Sequence, residues 1–107
     1  MISFEDFKKL ELKVGKILEV NLHPSADRLY IVKVDLGNSD VRELVAGIRP
    51  YYAPEELINK QVIIVANLEP ATIRGITSNG MLLAAKDDTT LAILTIDRPV
   101  KEGSPVS

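Results

Sequence analysis

The chain has no cysteine and no tryptophan, one histidine, and only two phenylalanines and three tyrosines among 107 residues. Without cysteine there are no disulfides, zinc ribbons, thiol redox couples or thiol nucleophiles. His23 alone cannot supply a two-histidine mechanism or most metal sites. The scarcity of rings argues against a surface that stacks unpaired bases. Only Tyr30 falls on a predicted strand, and its parity points inward. No run approaches the roughly 18 apolar residues of a membrane span. Met1–Asp6 lacks the basic and apolar regions of a signal peptide, so a cytoplasmic protein with no membrane partner is expected. Positive charge is not in excess either: 13 Lys and Arg against 15 Asp and Glu give a net charge of −2. Up to Arg49 the balance is even, and beyond it acidic residues lead, so any polyanion must bind a local patch.

What is present is average globular composition, 46% hydrophobic and 26% charged, at a length suited to one domain over residues 1–107. Ser3 with Asp6 forms a capping signal, and Phe4, Phe7 and Leu10 recur at helical spacing. A short helix over Ser3–Lys9 is predicted. From Glu11 the period becomes two, with Leu12, Val14, Leu18, Val20 and Leu22 on one face. Lys16 interrupts that face beside Gly15, where a bulge or bend is expected. His23–Asp27 reads as a turn, Leu29–Leu36 as a strand with Tyr30, Val32, Val34 and Leu36 facing in, and Gly37–Asp40 as a hairpin connection to Val41–Ala46. Pro54–Ile58 suits one helical turn. Val62–Ala66 suits a strand buried on both faces, Met81–Ala85 a further apolar strand, and Leu91–Thr95 the last one, whereas Pro99–Ser107 offers little regular structure. Five or six short strands with these two helical turns describe an all-β fold, a five-stranded Greek-key barrel of the OB type.

Catalysis finds no support. Gly15-Lys16-Ile17 lacks the earlier glycine and the hydroxyl of a phosphate loop. His23 and Asp27 have no accompanying nucleophile or oxyanion motif. Glu55-Glu56 and Asp87-Asp88 fit a helix start and a solvated turn. Neither a catalytic residue, a metal nor a cofactor is therefore expected. Binding is better served by cations on strands and loops: Lys13, Lys16, Arg28, Lys33, Arg74 and Lys86.

Six fragments in order now matter together: Leu12–Ile17, His23–Leu29, Val45–Ile48, Pro54–Leu57, Val65–Leu68 and Ser78–Ala84. They resemble the OB-fold tRNA-binding domain found at the C-terminus of many methionyl-tRNA synthetases and as a separate chain elsewhere. The likeness extends over about Phe4 to Val106. It implies structure-specific tRNA binding at the outer corner of the L-shaped molecule, as a non-catalytic beta subunit or accessory domain of methionyl-tRNA synthetase. It also implies a homodimer whose C-terminal extension serves dimerisation, and the synthetase catalytic subunit as a possible partner. In that family the serine and methionine of the Ser-x-Gly-Met motif lie at the RNA surface, which maps to Ser78 and Met81. Alternatively these are a turn serine and a core methionine. Asn67, at a strand end, either caps a loop or faces a ligand. Lys16, Lys33 and Arg74 make the candidate patch, and Lys86 joins Asn67, Ser78 and Met81 as a further tRNA-binding candidate. Relatives that act as secretion chaperones share the barrel, so a dimeric peptide-binding protein is the competing expectation. They resemble this chain less at Gly80-Met81.

Overall fold

In the computed structural model, which describes residues 1–107, the hydrophobic pattern closes into an OB-like barrel. Its elements in chain order are α1 (Phe4–Phe7), β1 (Leu12–Leu22), β2 (Tyr30–Asp35), β3 (Val41–Ala46), α2 (Pro54–Leu57), β4 (Gln61–Val65), β5 (Ala71–Ile73), β6 (Ile76–Ser78), β7 (Met81–Leu82), β8 (Ala84–Lys86), β9 (Leu91–Ile93) and β10 (Pro105–Val106). The main sheet runs β3-β2-β1-β4-β7, with β10 added to β1. Antiparallel hairpins β5-β6 and β8-β9 stand off it. Neither helix is long enough to cross a membrane.

The strands predicted from strict alternation or continuous apolar runs are present. Tyr30, Val32, Val34 and Leu36 are buried together, facing Leu44 and Ala46 of β3. Along β4 and at Ala66 just after it, Val62, Ile64 and Ala66 enter the central cluster while Ile63 and Val65 are buried outside it, as a central strand between β1 and β7 requires.

β1 departs from expectation. Its inward residues begin with Gly15 and Ile17, and Val14 and Lys16 take the other face. A register shift between Ile17 and Glu19 then reverses the parity, leaving Leu18 and Leu22 exposed and Val20 packed on the core. The bulge is therefore at Leu18. Gly15 serves a close approach instead: a Cβ there would lie 2.4 Å from Val34 Cγ1.

Helix α1 is shorter than predicted. The Ser3 hydroxyl accepts from the Asp6 N–H at 3.1 Å, but Asp6 turns its carboxylate to Lys9 rather than back to Ser3, and no residue of the turn is buried. The Met81–Ala85 run is divided between β7 and β8. The C-terminal segment, expected to be irregular, folds back along β1. Val14 N–H donates to Ser104 O at 2.9 Å and Gly103 N–H to Val14 O at 2.7 Å. Gly37 and Gly103, both at positive φ, let the tail backbone press against the β2–β3 turn.

Candidate nucleic-acid interface

In OB barrels the loops after the first and fourth strands flank the binding face. Here they are residues 23–29 and 66–80, and the second contains an unforeseen hairpin, β5-β6. Its signal was legible: Arg74-Gly75 separates two triplets rich in β-branched residues, and φ of +53° and +86° at these positions suits a two-residue hairpin turn. His23 docks this hairpin. The ring is buried, its Nδ1 accepts the Ser25 N–H at 3.1 Å, and the proton thereby left on Nε2 is donated to Ile73 O at 3.1 Å. The turn reading of His23 holds, with a cross-link added. Arg74 is exposed at the hairpin tip, and Arg28 is exposed in the facing loop. Arg49 braces that loop by donating from Nη1 to Ala26 O at 3.3 Å.

Ser78 does not lie at the surface. It is 4% exposed, its Oγ accepts the Val45 N–H at 2.9 Å, and it donates to Gly80 O at 3.1 Å. With Asn79 N–H donating to Glu43 O at 2.9 Å, it closes the barrel between β3 and the β6–β7 connection. Both hydroxyl roles are occupied, so it shapes the loop and leaves nothing for a phosphate. Met81 is 46% exposed, which excludes the core alternative. It rims an apolar cavity of about 240 Å³ with Val45, Leu68, Ala71 and Ile73.

The other candidates disperse. Asn67 is exposed, yet its Oδ1 accepts from the Glu11 N–H at 2.9 Å and its Nδ2 donates to Lys9 O at 2.7 Å. Of its two readings, the amide fastens the segment between α1 and β1. Lys33 pairs with Glu19 at 3.2 Å. Lys16 lies opposite Gln61, at the far end of β4 from the Val65–Met81 pair, a span of about 13 Å. Lys16 is thus set apart from the strand end that carries Met81, and Lys33 is engaged by Glu19. Arg74 and Ser78 do share one connection, with Met81 at its end, and Arg28, a candidate cation left out of the predicted site, lies on the other loop, which Arg49, not anticipated, braces from beyond β3.

Lys86 extends over the Tyr51 ring, 5.8 Å from its centroid, which gives that cation a fixed direction. The adjoining turn is set by Asp87, whose Oδ1 accepts from Thr89 N–H at 2.9 Å and Thr90 N–H at 2.7 Å. These bonds to Thr89 and then Thr90 hold its pKa below the ordinary aspartate value. Because the folded-state pKa is the lower one, the stabilisation is complete above the unfolded value and is lost as pH falls through the folded one. An NMR titration is expected to place the Asp87 carboxyl midpoint below 3.8, with the Thr89 and Thr90 amide shifts following the same curve. A midpoint at or above that value would remove the turn's dependence on charge.

A family model described as "Putative tRNA binding domain" matches residues 12–105. Methionine–tRNA ligase of Pyrococcus horikoshii is 63% identical over 105 residues, 98% of this chain and 14% of the ligase. The chain thus spans about one-seventh of the length of such relatives. Among solved structures, a protein related to methionyl-tRNA synthetase from Pyrococcus horikoshii superposes with a TM-score of 0.93 at 30% identity, covering 100% of this chain and 98% of that one. The chaperone CsaA of Picrophilus torridus superposes with a TM-score of 0.92 at 31% identity, with 100% of both chains covered.

Proposed function

Since the chain belongs to the tRNA-binding domain family, we propose that it binds tRNA by backbone and shape, as the non-catalytic tRNA-binding subunit or accessory domain of methionyl-tRNA synthetase. The observation that carries this reading is the pairing of exposed Arg74 and exposed Met81 on one connection that offers no stacking ring. Tyr30 is buried with its hydroxyl donating to Tyr52 O at 2.6 Å, so bases of an unstructured strand find no platform in it. A guanidinium suits phosphate, and a flexible thioether suits a ribose face. In this scheme Arg74, Met81 and Lys86 touch RNA, Lys16 and Lys33 add peripheral charge, and Ser78 and Asn67 hold the loops that present them. Residues 1–107 act as one unit in the cytoplasm, pairing as a homodimer and delivering tRNA to the synthetase catalytic chain.

The test is binding of bulk tRNA against an unstructured RNA of equal length at two salt concentrations. With about four phosphates neutralised, a fourfold rise in salt weakens binding on the order of 100-fold, at a slope of about −0.9 per phosphate. Preference for tRNA with that steep loss is the expected result. Equal binding to both RNAs would overturn shape recognition. The second reading, a peptide-binding chaperone, is favoured by the exposed Leu68 and Met81 beside the apolar cavity and by the likeness to CsaA. It predicts no tRNA preference and peptide binding that changes little with salt.

A further inference from the structure

The loop of residues 23–29 and the β5-β6 hairpin are distant in sequence and joined by the ring of His23. We infer that these two segments form one phosphate-binding surface, in which Arg28 and Arg74 contact the RNA backbone and His23 is the positioning residue that keeps them in one frame. The inference rests on the tRNA reading and extends it to residues outside the Ser-x-Gly-Met motif.

The chain's ion pairs engage Lys9, Lys33, Arg42 and Arg98, so neither Arg28 nor Arg74 is matched by a carboxylate within 4.0 Å. Asp27 and Glu69 balance the formal charge of the two loops, but with no carboxylate within 4.0 Å the two exposed arginines remain available cations on linked segments. Each keeps its planar set of donors free for the bidentate contact that phosphate accepts. Arg74 also occupies a left-handed backbone position, φ +53°, where glycine or asparagine is the ordinary choice. Placing arginine there puts the guanidinium at the tip of the hairpin in spite of the strain.

His23 itself is 3% exposed and cannot touch RNA. A histidine needed only for the local turn would use Nδ1 toward Ser25 and no more. The Nε2 bond instead reaches Ile73, 50 residues away and immediately before Arg74. Arg49, reaching Ala26 from beyond β3, secures the same loop from its other flank. Arg28 and Arg74 are thus carried by segments that a buried ring fastens to each other.

Two substitutions separate the two bonds of the ring. His23→Asn retains an acceptor for Ser25 N–H but cannot reach Ile73, whereas His23→Gln can donate to Ile73 but gives up the local turn bond. In the 107-residue chain, Arg28→Gln and Arg74→Gln are each expected to weaken tRNA binding about tenfold at low salt and to reduce the salt slope by about 1. His23→Asn should match the loss of Arg74→Gln and add nothing to it in the double variant, while His23→Gln stays near the parent. Parent-like affinity and slope for both arginine variants would overturn the surface. An Asn variant that binds as well as the Gln variant would overturn the positioning role.

Two measurements on the parent stand apart from these variants. The ¹⁵N spectrum should show His23 protonated at Nε2 and not at Nδ1, and the opposite tautomer refutes the cross-link even if every His23 variant unfolds. Titration with tripolyphosphate should shift the Arg28 and Arg74 side-chain Nε–H signals. Shifts there in a chain that fails to bind tRNA would keep the anion surface and remove the RNA reading. Unshifted arginines in a chain that does bind tRNA would do the reverse.

Discussion

Truncating Leu44 to alanine is expected to cost about 2–5 kcal/mol of stability. Leu44 is fully buried on β3, directly opposite the equally buried Val32 on β2. Its Cδ2 lies 3.2 Å from where a Cβ on Gly80 would stand, so the side chain also supports the connection that presents Met81. Hydrogen-bonded strands surround the resulting space and cannot collapse into it, which places the loss toward the upper part of the range. Against a total of roughly 5–15 kcal/mol for a domain of this size, that is a large share. Urea unfolding should show a lower midpoint with an unchanged slope. Val41→Ala, on the same strand but 47% exposed, should shift stability by less than about 0.5 kcal/mol and serves as the reference. A Leu44 variant as stable as the Val41 one would mean that β3 is not fixed against the core.

The contrast between these two positions also explains what was legible in the sequence. Tyr30, Val32, Val34 and Leu36 alternate with polar or half-buried partners, and β4 is apolar from Val62 to Val65, so both strands announced their surroundings. β1 misled because one of its inward positions is a glycine. With Gly15 silent, the even-numbered residues set the reading: Val14 is buried but outside the central cluster, Val20 meets the core only because the parity changes after Ile17, and Leu18 and Leu22 are exposed. The C-terminal strand β10 has two residues and exists through its partner, which no local pattern reveals.

For the interface the limit was different. Polarity of a side chain is written in the sequence, but whether its donors and acceptors are already taken is not. Ser78 and Asn67 read as candidate ligand groups, and each proves to be bonded to backbone from a distant element. Conversely, Lys33 and Arg28 looked equivalent, and only the structure shows that Lys33 has Glu19 for a partner. The barrel class and the connection bearing Arg74 and Met81 were accessible from pattern and resemblance. The docking of that connection on His23 was not.

The second large effect is expected at Gly15, where alanine should destabilise by about 1–3 kcal/mol. The backbone offers no objection, since Gly15 is not among the positive-φ glycines. In such a conformation a glycine-to-alanine change gains about 0.4–1 kcal/mol by restricting the unfolded chain. Packing decides the sign. The new Cβ would lie 2.4 Å from Val34 Cγ1, 2.8 Å from Leu36 Cδ2 and 3.4 Å from Ile64 Cγ1, and Val34 is fully buried. A β-branched side chain has few rotamers with which to withdraw, so β1 and β2 must separate near Lys16. Shortening Val34 should relieve this. Val34→Ala alone opens a void, but combined with Gly15→Ala it should be less destabilising than the sum of the two, by about 0.5–3 kcal/mol. Strict additivity in denaturant unfolding would show that the close approach of β1 to β2 does not govern the choice of glycine.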